Sequence, residues 1–130
     1  MAKMGWRYFL SGLWVTVFLS MAPLAAVGAD FFRSIDDLPL APGMAEAVEQ
    51  GVEFDSPGGR IVTAVASSSA GQQTRIEGVR AFYRKALPPL GWHHVSGDTY
   101  RREGERLTLR IAKAGAGVVV RVRLVPAGRN

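Results

Sequence analysis

The sequence predicts an α+β domain, in which an antiparallel sheet carries one main amphipathic helix on one face in the order β-β-α-β-β-β-β, behind an N-terminal export segment. Three observations point there. Apolar residues recur at helical spacing from Ile76 to Leu90, and Pro88-Pro89 is expected to stop the helix. Strict alternation runs through Arg106–Ile111 and again through Val118–Val125, the period of half-buried strands. Short glycine-bearing turns separate these segments, and antiparallel neighbours need only such turns.

At the start, Lys3 and Arg7 precede an uncharged stretch from Tyr8 to Ala29. Its strongly apolar part, Phe9–Ala22, has the length of a signal-peptide core, and Pro23 breaks it before a run of small residues suited to a peptidase pocket. Residues 1–29 therefore read as a signal peptide, with Val27 and Ala29 at the small-residue positions and Asp30 as the new N-terminus. A cut after Ala26 is the nearby alternative. An uncleaved anchor competes, because a span needs roughly 20 apolar residues, but Pro23, Gly28 and the alanines weaken it. A buried core helix would show a polar face that this segment lacks. The positive N-terminus stays cytoplasmic in the first two cases. The expected location is the periplasm, or the inner membrane with a periplasmic domain if the segment is retained.

Residues 30–50 read as an extended lead-in that packs Phe31 or Leu38 onto the domain, with a short helical turn over Met44–Gln50 ended by Gly51. The α+β domain occupies residues 51–126, and 127–130 form a tail. Val52–Asp55 and Arg60–Ser67 flank Ser56-Pro-Gly-Gly59 and predict a hairpin. Thr74-x-x-Glu77 has the form of a capping box, so the helix is expected to start at Thr74. Ile76, Val79, Phe82, Tyr83, Ala86, Leu87 and Leu90 form its apolar arc. Trp92–Val95 and Thr99–Arg102 follow as a hairpin across Ser96-Gly-Asp98. Leu107, Leu109 and Ile111 then face inward against Val118, Val120, Val122 and Leu124 from the last strand.

Without the export segment about 100 residues remain, enough for one modest core. The chain has no cysteine, which excludes disulfides, thiolate metal sites, a cysteine nucleophile and a cysteine-linked lipid. The formal net charge of +5 is unevenly spread. Residues 30–76 hold seven acids and three bases, whereas residues 77–130 hold four acids and eleven bases. The plain explanation is mutual attraction of the halves or solvation; a basic contact surface is the other. Nucleic acid is set aside as a partner, since an exported protein meets little of it.

Val79–Trp92 (VRAFYRKALPPLGW), Tyr100–Leu109 (YRREGERLTL), Asp37–Met44 (DLPLAPGM) and Phe54–Ile61 (FDSPGGRI) are similar to segments of small exported proteobacterial proteins of unknown function. The resemblance covers most of residues 30–130 and implies an exported domain; it supplies no site residues. At the level of fold, the helix-then-strands layout also resembles the helix-grip modules of outer-membrane assembly lipoproteins. This chain has no cysteine to acylate, so shared anchoring does not carry over.

No motif assembles a reaction. His93 and His94 are adjacent in a strand and point to opposite faces, which is unsuited to gripping one ion. Asp36-Asp37 and Glu103/Glu105 read as loop carboxylates rather than an acid–base pair in unlike environments. Ser67–Ser69 lacks a nucleophile elbow, and Gly58-Gly59 and Gly115-x-Gly117 are turn glycines without the strand and helix a phosphate loop needs. No catalytic residue, metal ligand or cofactor is expected. One feature carries a binding hypothesis: Arg106, Arg110, Arg121 and Arg123 alternate outward on two strands that should pair. They would make a basic stripe on the face opposite the helix, suited to lipid head groups, lipopolysaccharide phosphates or an acidic partner. The plainer reading is a solvated sheet face guarded against aggregation. The expectation is a non-catalytic interaction or structural module with an unknown envelope partner, the alternative being a binder of anionic envelope components. Membrane contact is expected only through the export segment, if uncleaved.

Overall fold

The computed structural model describes residues 30–69 and 72–128. The export segment expected over residues 1–29, with its cut after Ala29, lies outside the described residues. What is described is an α+β fold built from a seven-stranded antiparallel sheet and one α-helix.

Three ten-residue strands form the middle of the sheet: β3 (Gly59–Ser68), β7 (Gly117–Pro126) and β6 (Glu105–Ala114). On the far side of β6 lie β5 (Thr99–Arg102) and then β4 (His93–Ser96). On the far side of β3, β1 (Met44–Glu46) and β2 (Val52–Ser56) pair with successive stretches of the same strand. A 3-10 turn at Val48–Gln50 separates them, so this edge is broken. Helix α1 (Ile76–Ala86) carries the chain from β3 to β4 and packs on β6.

Alternation decides which face is buried. Val62, Ala64 and Ala66 of β3, Leu107 and Leu109 of β6, and Val118, Val120, Val122 and Leu124 of β7 line the helix side. Val79, Tyr83 and Leu87 descend onto them from the helix, in the phase the sequence predicts. Trp92 and Tyr100 close the β4–β5 end.

Three local expectations are corrected, and one is sharpened. Met44–Gln50 is not a helical turn throughout: Met44–Glu46 is a strand, and only Val48–Gln50 is helical. Three residues have little preference of their own, and the end of β3 offers ladder groups that need partners, so pairing with Ala66–Ser68 wins. The helix starts at Ile76 with Arg75, not Thr74, as its extended N-cap, and that cap has no side-chain hydrogen bond. Thr74 lies over Gly43, where a Cβ would sit 3.4 Å from Thr74 Oγ1. Glu77 still stands in the first turn, where the helix dipole favours an acid. In the lead-in, Leu38 is buried as expected, but Phe31 is half exposed and its neighbour Phe32 enters the core. Finally, Leu90 belongs to a second 3-10 turn, Pro88–Leu90, and is exposed rather than part of the apolar arc's buried face.

The lead-in is a structural part of the domain. Phe32 N–H donates to the Leu38 carbonyl at 2.9 Å and Leu40 N–H to that of Asp30 at 2.7 Å, folding residues 30–40 back on themselves. Phe32, Ile35, Leu38 and Ala41 are all in the core. Glu46 fastens this loop, accepting from Arg33 N–H at 2.6 Å and from Ser34 Oγ at 2.8 Å.

Candidate functional site

The register places the basic residues in two dimensions. Arg110 on β6 stands directly opposite Arg121 on β7, and Thr108 opposite Arg123. Arg106 faces Val125 on one side and Arg101 of β5 on the other. Directly opposed residues project to one face, so Arg101, Arg106, Arg110, Arg121 and Arg123 share the side away from the helix. The four arginines singled out from the sequence are brought together, and Arg101 joins them. Its neighbour Arg102 in the same short strand hides it from sequence reasoning; the tight Glu103-Gly104 turn, which pairs Arg102 with Glu105, was the available signal.

The same face continues across β3 and β2. Thr63 pairs with both Arg123 and Val52, and Ile61 pairs with Phe54. Thus Val52 and Phe54 emerge beside the arginines, and they are 59% and 52% exposed. The strand acids point the other way: Glu53 is opposite buried Val62, Asp55 opposite Arg60, and Glu105 opposite Arg102. No Asp or Glu of the described strands shares the arginine face. Among the described residues the ion pairs are Arg60–Glu105, Arg80–Asp98 and Arg102–Asp37, and none uses an arginine of this face. Two of these pairs do join the acidic and basic halves of the chain.

Two like-charged pairs, Arg110–Arg121 and Arg101–Arg106, therefore stand across adjacent strands without acids to relieve them. Each such pairing opposes folding by up to roughly 1 kcal/mol. The surface is also broad and shallow. At its β4–β5 end Arg101 and His93 line a hollow of about 310 Å³ with Arg102, Glu103 and Glu105, whereas Arg106, Arg110, Arg121, Arg123, Val52 and Phe54 line none of the hollows described among these residues. No family model, curated protein or solved structure matches this chain.

Of the other candidate groups, His93, Glu103 and Glu105 border one hollow and Asp37, His93 and Glu103 another, at the β4–β5 end. Asp37 pairs with Arg102, and Glu105 with Arg60 at 3.0 Å, which raises the Arg60 guanidinium pKa through that hydrogen bond against a smaller desolvation effect. Glu103 occupies a left-handed turn position, and Glu105, which lines the same hollow, is engaged by Arg60. His93 stands opposite Arg101 and His94 opposite Tyr100, on opposite faces of the edge strand. Ser68 Oγ accepts from Val118 N–H at 2.8 Å, a sheet contact. Gly59 and Gly115 adopt positive φ in turns.

A hollow of about 620 Å³ lies between Ala41–Gly43 and the helix residues Val79 and Phe82, with Arg75 and Lys85 at its rim. No carboxylate or histidine lines it among the described residues. It joins apolar surface to the polar side chains of Gln72, Gln73 and Thr74.

Proposed function

We propose that this chain is an exported, non-catalytic binding domain that engages anionic, phosphate-bearing envelope components through its arginine face. The observation that carries the proposal is the pair of unrelieved arginine pairings, Arg110–Arg121 and Arg101–Arg106. A purely solvating surface gains nothing from opposing like charges, because threonine or an interspersed acid would solvate the sheet as well without repulsion. An anionic ligand turns that repulsion into attraction, and arginine's planar fork matches phosphate oxygens. The charge layout of residues 1–29 supports export.

Binding to vesicles containing phosphatidylglycerol, compared with pure phosphatidylcholine, tests this reading. Wild-type protein is expected to bind the anionic vesicles and to weaken as salt rises. Replacing Arg110, Arg121 and Arg123 together by glutamate should lower affinity at least about 100-fold, since each basic residue near such a surface contributes roughly 1 kcal/mol. Unchanged, salt-insensitive binding by the reversed protein would overturn the proposal. Export is read separately: the intact mass of the released protein should begin at Asp30, whereas Met1 retained in membranes would make the same domain a tethered one.

A further inference from the structure

We infer that the β2 edge of the arginine face enters a membrane, Phe54 and Val52 seating at the acyl boundary of an anionic bilayer while Arg121 and Arg123 hold lipid phosphates. The inference rests on the arginine-face reading and specifies its ligand as a lipid surface, not a free phosphate or soluble polyanion. Val52, Thr63 and Arg123 lie in one row across three neighbouring strands. Strand spacing puts Val52 about 10 Å from Arg123, a separation over which one flat surface can satisfy both. Phe54 and Val52 are more than half exposed on the edge strand. Apolar side chains raised beside unpaired arginines are poorly used on a hydrated polyanion, but they match a head-group layer underlain by hydrocarbon.

The shape agrees. A phosphate-sized ligand calls for a pocket that gathers the cations, whereas Arg106, Arg110, Arg121 and Arg123 line none of the hollows described, and the cations of this face, Arg101 beside its hollow included, are spread over three strands, β5, β6 and β7. A second copy of the chain docking by the same face would oppose arginine to arginine. Charge complementarity thus favours an extended anionic plane, and the apolar edge gives that plane an interior.

The test compares wild type, the double variant Val52→Ser/Phe54→Ser and the arginine-reversed variant, in protein purified from expressing cells with its N-terminus defined by intact mass. Each is titrated with phosphatidylglycerol vesicles and, separately, with inorganic polyphosphate. The serine variant should keep polyphosphate binding but lose about tenfold or more in vesicle affinity; its vesicle binding should vanish at salt concentrations where wild type retains some. Circular dichroism should show it folded, both sites being exposed. In a Phe54→Trp variant, the emission of the added indole should shift blue with anionic vesicles and be quenched by lipids labelled high in the acyl chain. Equal vesicle affinity of the serine variant, or an added indole emission indifferent to vesicles, overturns insertion while leaving the arginine face standing. Wild-type binding to polyphosphate but not to vesicles does the same. Binding to neither overturns both readings.

Discussion

The hydroxyl of Tyr83 is buried beneath the helix, beside the backbone of Ala41, and makes no hydrogen bond of full geometry. Burial pushes its pKa well up, with the Ala41 backbone easing the shift slightly; Tyr100 is also raised, by burial and then by Asp98. A raised tyrosine favours the neutral phenol in the fold, so its contribution is complete below the ordinary value of about 10 and is lost as pH climbs through and beyond it. Thermal stability should therefore fall above about pH 10. Tyr83→Phe should flatten part of that fall and, by removing an unsatisfied buried hydroxyl, raise stability at neutral pH by up to about 1 kcal/mol; melting curves across pH check both. Arg102 is better partnered, although its Nε is also buried without a hydrogen bond. Its guanidinium stacks on Trp92 at 4.2 Å, pairs with Asp37 and donates to the Leu90 carbonyl at 3.1 Å, tying lead-in, turn and sheet together. Arg102→Ala should cost about 2–3 kcal/mol in urea unfolding, and lysine should recover little because it lacks the planar fork.

Among the elements, β5, β6 and β7 hold the arginine face, and the like-charged pairing across β6 and β7 makes a prediction in two directions. Arg110→Glu places a carboxylate opposite Arg121 and should stabilise the domain by about 0.5 kcal/mol, or roughly 2–4 °C in Tm. The same change should weaken anionic-vesicle binding, so calorimetry and sedimentation together would show stability and binding moving apart. A loss of Tm would mean the pair is already relieved. These strands were legible in the sequence because alternation is a property of each strand alone, and the helix because Val79, Tyr83 and Leu87 share a phase. Met44–Glu46 was not: three residues become a strand only when β3 supplies the partner. Nor was the side on which Val52 and Phe54 emerge, which depends on register with β3 and β7 rather than on their own pattern. The candidate surface was thus readable in its arginines and unreadable in its apolar edge.

For the molecule as a whole, the lead-in decides where the folding unit begins. Phe32, Ile35 and Leu38 are essentially inaccessible to solvent, and burying side chains of this size contributes roughly 1.5–3 kcal/mol each. That sum is comparable with the whole stability of a small domain. A chain beginning at Met44 should therefore fail to fold cooperatively, lose its near-ultraviolet dichroism and become protease-sensitive, although it keeps every strand and the helix. Native-like melting of that truncated chain would show the lead-in to be an accessory. With no cysteine in the chain, no cross-link offsets the loss.

The interrupted edge of the sheet has a consequence for behaviour in a crowded compartment. A growing fibril needs a long, straight row of free amides and carbonyls to copy. Here the 3-10 turn at Val48–Gln50 cuts one border into runs of three and five residues, and a register shift between His94 and Ser96 bends the other. The border therefore makes a poor template, and the domain can present a half-apolar sheet to its surroundings at high concentration without that sheet seeding the stacking of its own kind.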